Sequence, residues 1–172
     1  MNDKYTSPLE SATRKEIDKI LENLGWNINE FNKNCNVFTE RVKNKSEIKK
    51  IKNIFPNGKF PDYVLYNSNN NEPIGIIEAK RIGTKLDNAL IQAKEYALCL
   101  GVKIIFAVDG GIVEARWVEG NRYLKKDGQL INEILTEKTL LKFINEGNEI
   151  HTSKKTTKTR EDLISIFKKT ND

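Results

Sequence analysis

The sequence predicts an α/β fold, a mixed β-sheet flanked by helices. Three observations predict it. Two short apolar runs, Tyr63–Tyr66 and Ile74–Lys80, are joined by the turn-rich Asn67–Asn71 and read as neighbouring strands. An amphipathic stretch follows, with Leu86, Leu90, Ala93, Ala97 and Leu100 along one side of a helix over Leu86–Leu100. The apolar run Val102–Asp109 then suits a buried strand. A helix crossing from the strand that ends at Lys80 to the one that starts at Val102 implies a right-handed β-α-β unit within a mixed sheet.

The remaining elements follow in order. Pro8–Leu24 reads as a helix, with Ser7 as N-cap, Glu10 three residues on, and Ile17, Ile20, Leu21 and Leu24 as its apolar stripe. Gly25 stops it, and Trp26 is expected to pack beneath it. Thr39–Lys43 is the expected first strand, and Ser46–Phe55 a short helix or loop. Gly110-Gly111 turns the chain into a strand over Ile112–Val118, and Thr136–Ile144 forms a short helix. From Glu146 the composition changes. Residues 1–145 are read as one domain, and 146–172 as a polar linker followed by the start of a helix, Arg160–Lys169, with Leu163, Ile164 and Phe167 on its apolar side. That arrangement suggests a fragment of a longer protein.

Composition limits the function classes. With 38% hydrophobic and 31% charged residues, the 172-residue chain can build one core but no membrane span, and its N-terminus lacks the apolar core of a signal peptide. Cys35 and Cys99 have no metal-ligand spacing and are expected to be buried thiols in a reducing cytoplasm. The single histidine, His151, lies in the polar tail, which argues against a histidine triad or a zinc site. No Gly-x-x-x-x-Gly-Lys-Ser/Thr occurs, so no ATP site is expected. A net charge of +5 and a pI of about 9.1 favour a polyanionic partner. Lys43, Lys45, Lys49, Lys50, Lys52 and Lys59 cluster just before Pro61, either as a solvated helical face or as a phosphate-contacting patch.

The chemistry concentrates in Pro61-Asp62 and Glu78-Ala79-Lys80. Side chains two apart on a strand point the same way, so Glu78 and Lys80 share a face, and a paired neighbouring strand brings Asp62 beside them. Two carboxylates and a lysine can hold a divalent metal and a polarised water, which is equipment for phosphodiester hydrolysis. The competing reading is a Glu78–Lys80 pair that blunts an edge strand.

Four stretches together resemble the N-terminal nuclease domain of type I restriction enzyme R (HsdR) subunits, within the PD-(D/E)xK nuclease superfamily. They are Glu10-Ser-Ala-Thr13-Arg14 running on to Leu24-Gly25-Trp26, Pro61-Asp62-Tyr63-Val64-Leu65, Ile77-Glu78-Ala79-Lys80, and Gln92-Ala93-Lys94-Glu95-Tyr96. The tail from Arg160 also looks like the segment leading into that subunit's helicase motor. The resemblance implies a restriction-endonuclease-like fold and a cytoplasmic, Mg²⁺-dependent DNA endonuclease, in which Mn²⁺ can substitute for Mg²⁺. Asp62 and Glu78 match the metal ligands, joined by the Ala79 carbonyl, and Lys80 matches the lysine that positions water. Glu10 matches the helical acidic residue of the site, its competing role being only a helix-capping acid. Gln92 and Tyr96 match a motif tied to DNA contact or site organisation, against a surface glutamine and a core-edge tyrosine. Lys43, Lys45, Lys49 and Lys50 complete the expected DNA-contacting set. Implied partners are double-stranded DNA and, through a full-length protein, methyltransferase and specificity subunits. The rival reading is a catalytically silent DNA-binding or assembly module on the same fold.

Overall fold

The computed structural model describes residues 8–39, 59–147 and 149–150. Helix α1 (Pro8–Asn23) leads to strand β1 (Val37–Thr39), then β2 (Tyr63–Tyr66) and β3 (Pro73–Ala79). Helix α2 (Asp87–Leu100) crosses to β4 (Ile104–Val108), which turns back into β5 (Val113–Trp117). These five strands form one sheet in chain order, β1-β2-β3-β4-β5. β3 and β4 are parallel and the other pairs antiparallel, as a single helical crossover requires. A smaller sheet, β7-β6-β8, is built from Lys125–Lys126 (β6), Gln129–Leu130 (β7) and Glu149–Ile150 (β8), with α3 (Glu137–Glu146) between β7 and β8. The mixed sheet flanked by helices is the α/β fold the sequence predicts.

The pleat sorts the two cores. Tyr63, Leu65, Ile77 and Phe106 belong to one cluster with Ile17 and Leu21 of α1 and Leu140 and Phe143 of α3. Val64, Ile76 and Ile105 belong to the other, with Leu90, Ala93 and Ala97 of α2. Gly75 permits the α3 contact, since a Cβ there would come within 3.2 Å of both Leu140 Cδ2 and Leu65 Cδ1. α1 ends in a Schellman motif: the Trp26 N–H donates to the Leu21 carbonyl and the Gly25 N–H to that of Glu22, with Gly25 at φ 87°. Trp26 packs as expected, and its Nε1 donates to the Leu135 carbonyl at 2.9 Å.

Several expectations are corrected. The first described strand is Val37–Thr39, which begins two residues before the expected Thr39–Lys43 because Val37 pairs with Leu65 and is buried against the core, while residues 40–43 lie outside the described residues. Cys99 is exposed and Cys35 half-buried, so neither is a core thiol. Cys99 falls between the buried positions of α2, whose inward face runs through Ala93, Tyr96 and Ala97. Glu149–Ile150 pair in parallel with Lys125–Lys126 as β8. Lys43, Lys45, Lys49, Lys50 and Lys52 lie outside the described residues, as do Ser7, the Ser46–Phe55 segment, His151 and the Arg160–Lys169 helix. Among the described residues, no helix is long and apolar enough to cross a membrane.

Candidate functional site

In an open α/β sheet, ligands bind outside the carboxyl ends of the parallel strands. Here that edge is where β3 and β4 end, at Ala79 and Val108. Glu78 is the last polar residue of β3. Because Tyr63 pairs with Ile77 in the antiparallel β2–β3 register, Asp62 arrives opposite Glu78. The two residues interlock. The Asp62 N–H donates to Glu78 Oε1 at 3.1 Å, and the Ala79 N–H donates to Asp62 Oδ2 at 2.8 Å. Both side chains are buried, with Asp62 6% and Glu78 4% exposed.

Two buried carboxylates side by side are electrostatically uncomfortable. Burial, and after it the neighbouring Asp62 charge, pushes the Glu78 carboxyl well above its ordinary range, while Lys80 pulls it partly back. Lys80 follows β3 directly and is fastened by its backbone N–H to the Val108 carbonyl at 2.8 Å. Its ammonium donates to Gln92 Oε1 on α2 at 3.0 Å. Gln92 therefore faces Lys80. Tyr96, one turn further along α2, is 4% exposed and belongs to the core beneath that helix.

Arg14 of α1 joins the site from the opposite layer. Its Nη2 ion-pairs with Asp62 Oδ1 and also reaches Glu10 Oε1 at 3.3 Å. Glu10 thus connects to Asp62 through Arg14. The Tyr63 hydroxyl fixes this turn of α1 on the sheet, lying 2.9 Å from the Arg14 carbonyl and 2.7 Å from Asp18 Oδ1. The β4–β5 turn closes one side. Gly110, at φ 99°, brings it so close to the loop after Lys80 that a Cβ would stand 2.6 Å from Ile82 Cγ1. Asp109 holds that turn by accepting the Gly111 and Ile112 N–H groups.

Sequence reasoning assigned no chemical role to Arg14 or to the Gly110 turn. The available signal for Arg14 was its position four residues after Glu10, which puts both on one helix face. The structure brings together Glu10, Asp62, Glu78, Lys80 and Gln92. Among the described residues, no cluster of three or more His, Cys, Asp or Glu side chains is arranged to hold a metal. Two carboxylates side by side are a number of oxygen groups that would suit Mg²⁺, which keeps several of its waters.

No protein-family model matches the chain, nor does any curated protein. Among solved structures, the fold is similar to a fragment described as an HsdR subunit of a type I restriction enzyme from Vibrio vulnificus, with a TM-score of 0.56 at 21% identity. The likeness covers 80% of this chain and 25% of that one, so this chain spans about a quarter of that structure's length. At this level of identity the similarity establishes a shared fold.

Proposed function

We propose that this chain is a Mg²⁺-dependent DNA endonuclease module of the PD-(D/E)xK kind, related to the R subunits of type I restriction enzymes. One observation carries the reading: Asp62 and Glu78 are buried together at the end of the parallel strand pair, with Lys80 two residues beyond Glu78. A structural role alone gives no reason to bury two carboxylates side by side. Asp62, Glu78 and the Ala79 carbonyl would hold the ion. A bound Mg²⁺ would supply charge neutralisation at a phosphate and a more acidic water.

The protein's own groups do the rest. Lys80 presents a cation to the attacking water or to the negative charge that builds on the phosphate. Gln92 holds the Lys80 ammonium in place until substrate arrives. Tyr96 anchors the α2 turn that carries Gln92. Phosphate grip is assigned to Lys43, Lys45, Lys49 and Lys50, so cutting shows little base preference. Methyltransferase and specificity subunits, reached through a full-length protein, would direct where the module acts. The ion pair between Arg14 and Asp62 and the absence of a third clustered ligand among the described residues favour a second reading, a silent DNA-binding or assembly module.

Plasmid nicking separates the two readings. The full chain should nick supercoiled DNA with Mg²⁺ or Mn²⁺, stop with a chelator, and lose the activity in Asp62→Asn. Saturable Mn²⁺ binding without nicking would leave a metal site whose cutting depends on the rest of an assembly. DNA binding with no metal binding at all would select the silent module.

A further inference from the structure

One Arg14 nitrogen, Nη2, serves both Asp62 Oδ1 and Glu10 Oε1, and the Arg14 and Asp62 side chains are only 9% and 5% exposed. A buried pair of this kind is weakly screened by salt, and a guanidinium does not lose its proton. The other Asp62 oxygen already accepts the Ala79 N–H. Both oxygens are therefore engaged before any ion arrives.

A divalent ion on Asp62 would sit about 2.1 Å from its oxygen. The guanidinium nitrogen on the same carboxylate would then lie roughly 4 Å from the ion, a separation at which like charges repel strongly inside a protein. On the metal reading proposed above, we infer that Arg14 is a built-in counter-cation for Asp62, which stabilises the metal-free site and competes with the divalent ion. Binding pushes the guanidinium off Asp62 and leaves Glu10 as its acidic neighbour on the helix. Metal affinity is thereby set by α1 as well as by the ligands on the sheet.

Titration of the full chain with Mn²⁺, followed by calorimetry and by melting temperature, tests this. Arg14→Gln keeps an N–H donor but removes the charge. The backbone carbonyl that receives the Tyr63 hydroxyl survives any substitution at this position. R14Q should bind Mn²⁺ at least about tenfold more tightly than wild type, a factor equal to roughly 1.4 kcal/mol, and gain more thermal stability from the metal. Arg14→Lys, which keeps the charge, should stay near the wild-type affinity. Equal or weaker binding by R14Q, with wild type binding normally, overturns the competition while leaving the metal site standing. No saturable binding by any of the three proteins overturns the metal site and the competition together. Should R14Q not fold, the guanidinium NMR signals of the wild-type protein must shift on Mg²⁺ addition, and unmoved signals reject the inference.

Discussion

Replacing Glu78 by glutamine should stabilise the metal-free protein, an unusual sign for a substitution at a buried, hydrogen-bonded site. Glutamine has the same shape, and its carbonyl can still accept the Asp62 N–H that Glu78 Oε1 accepts at 3.1 Å. What disappears is a buried charge beside another. Because that amide belongs to Asp62 itself, covalent geometry puts the two carboxylates roughly 5 Å apart. At an effective dielectric of about 20, their repulsion is about 3 kcal/mol. The attraction of Glu78 for Lys80 opposes part of this, leaving about 2 kcal/mol in favour of Glu78→Gln at pH 7. For a chain of this size, that corresponds to a rise of about 4–8 °C in melting temperature. The sign with pH follows from the direction of the shift. The Glu78 carboxyl is raised in the folded state, so the folded chain keeps a proton that the unfolded chain has released. That contribution is fully present below the ordinary carboxylate range, near 4.3, and is lost as pH rises through the raised folded-state value. The advantage of Glu78→Gln should therefore grow from acid toward neutral pH. Melting curves in chelator across that range, on both proteins, measure it. A variant less stable than wild type at pH 7, or a difference that does not change with pH, would refute the reasoning.

Other outcomes follow from the same geometry. Lys80→Ala should preserve the fold and DNA binding while abolishing metal-dependent cutting, and cutting at the parental rate removes Lys80 from the chemistry. Gln92→Ala releases the Lys80 ammonium, so cutting should fall clearly with the melting temperature unchanged; a loss explained wholly by lower stability assigns Gln92 to packing. Tyr63→Phe removes a buried hydroxyl that joins α1 to β2, and losing its hydrogen bond should cost about 0.5–1.5 kcal/mol in denaturant unfolding.

The parts of this fold that were legible from sequence are those written in local periodicity. The α2 stripe, the β2–β3 pair with its Asn-rich turn and the β4–β5 hairpin all carry their signals within about a dozen residues, and each lies within two or three residues of its expected span. Within the described part of β1 only Val37 and Phe38 are apolar, too few for a periodic signal, and the strand is defined by pairing with Leu65 and Val64. Strands β6, β7 and β8 are two residues each and have no periodicity to read. At the site, Asp62, Glu78 and Lys80 were visible because alternation along a strand and antiparallel pairing place them together. Arg14 was not, because its partner lies 48 residues away on another layer. The fastening of the Asn36 and Ser68 loops by Glu137 is hidden for the same reason.

Whether Asp62 and Glu78 form a divalent-cation site is decided by titration calorimetry of the full chain with Mn²⁺. The wild-type protein should bind saturably, with affinity weakened at least about a hundredfold by Asp62→Asn, a loss of roughly 2.7 kcal/mol. Absence of binding to wild type, or affinity unchanged in Asp62→Asn, would contradict such a site.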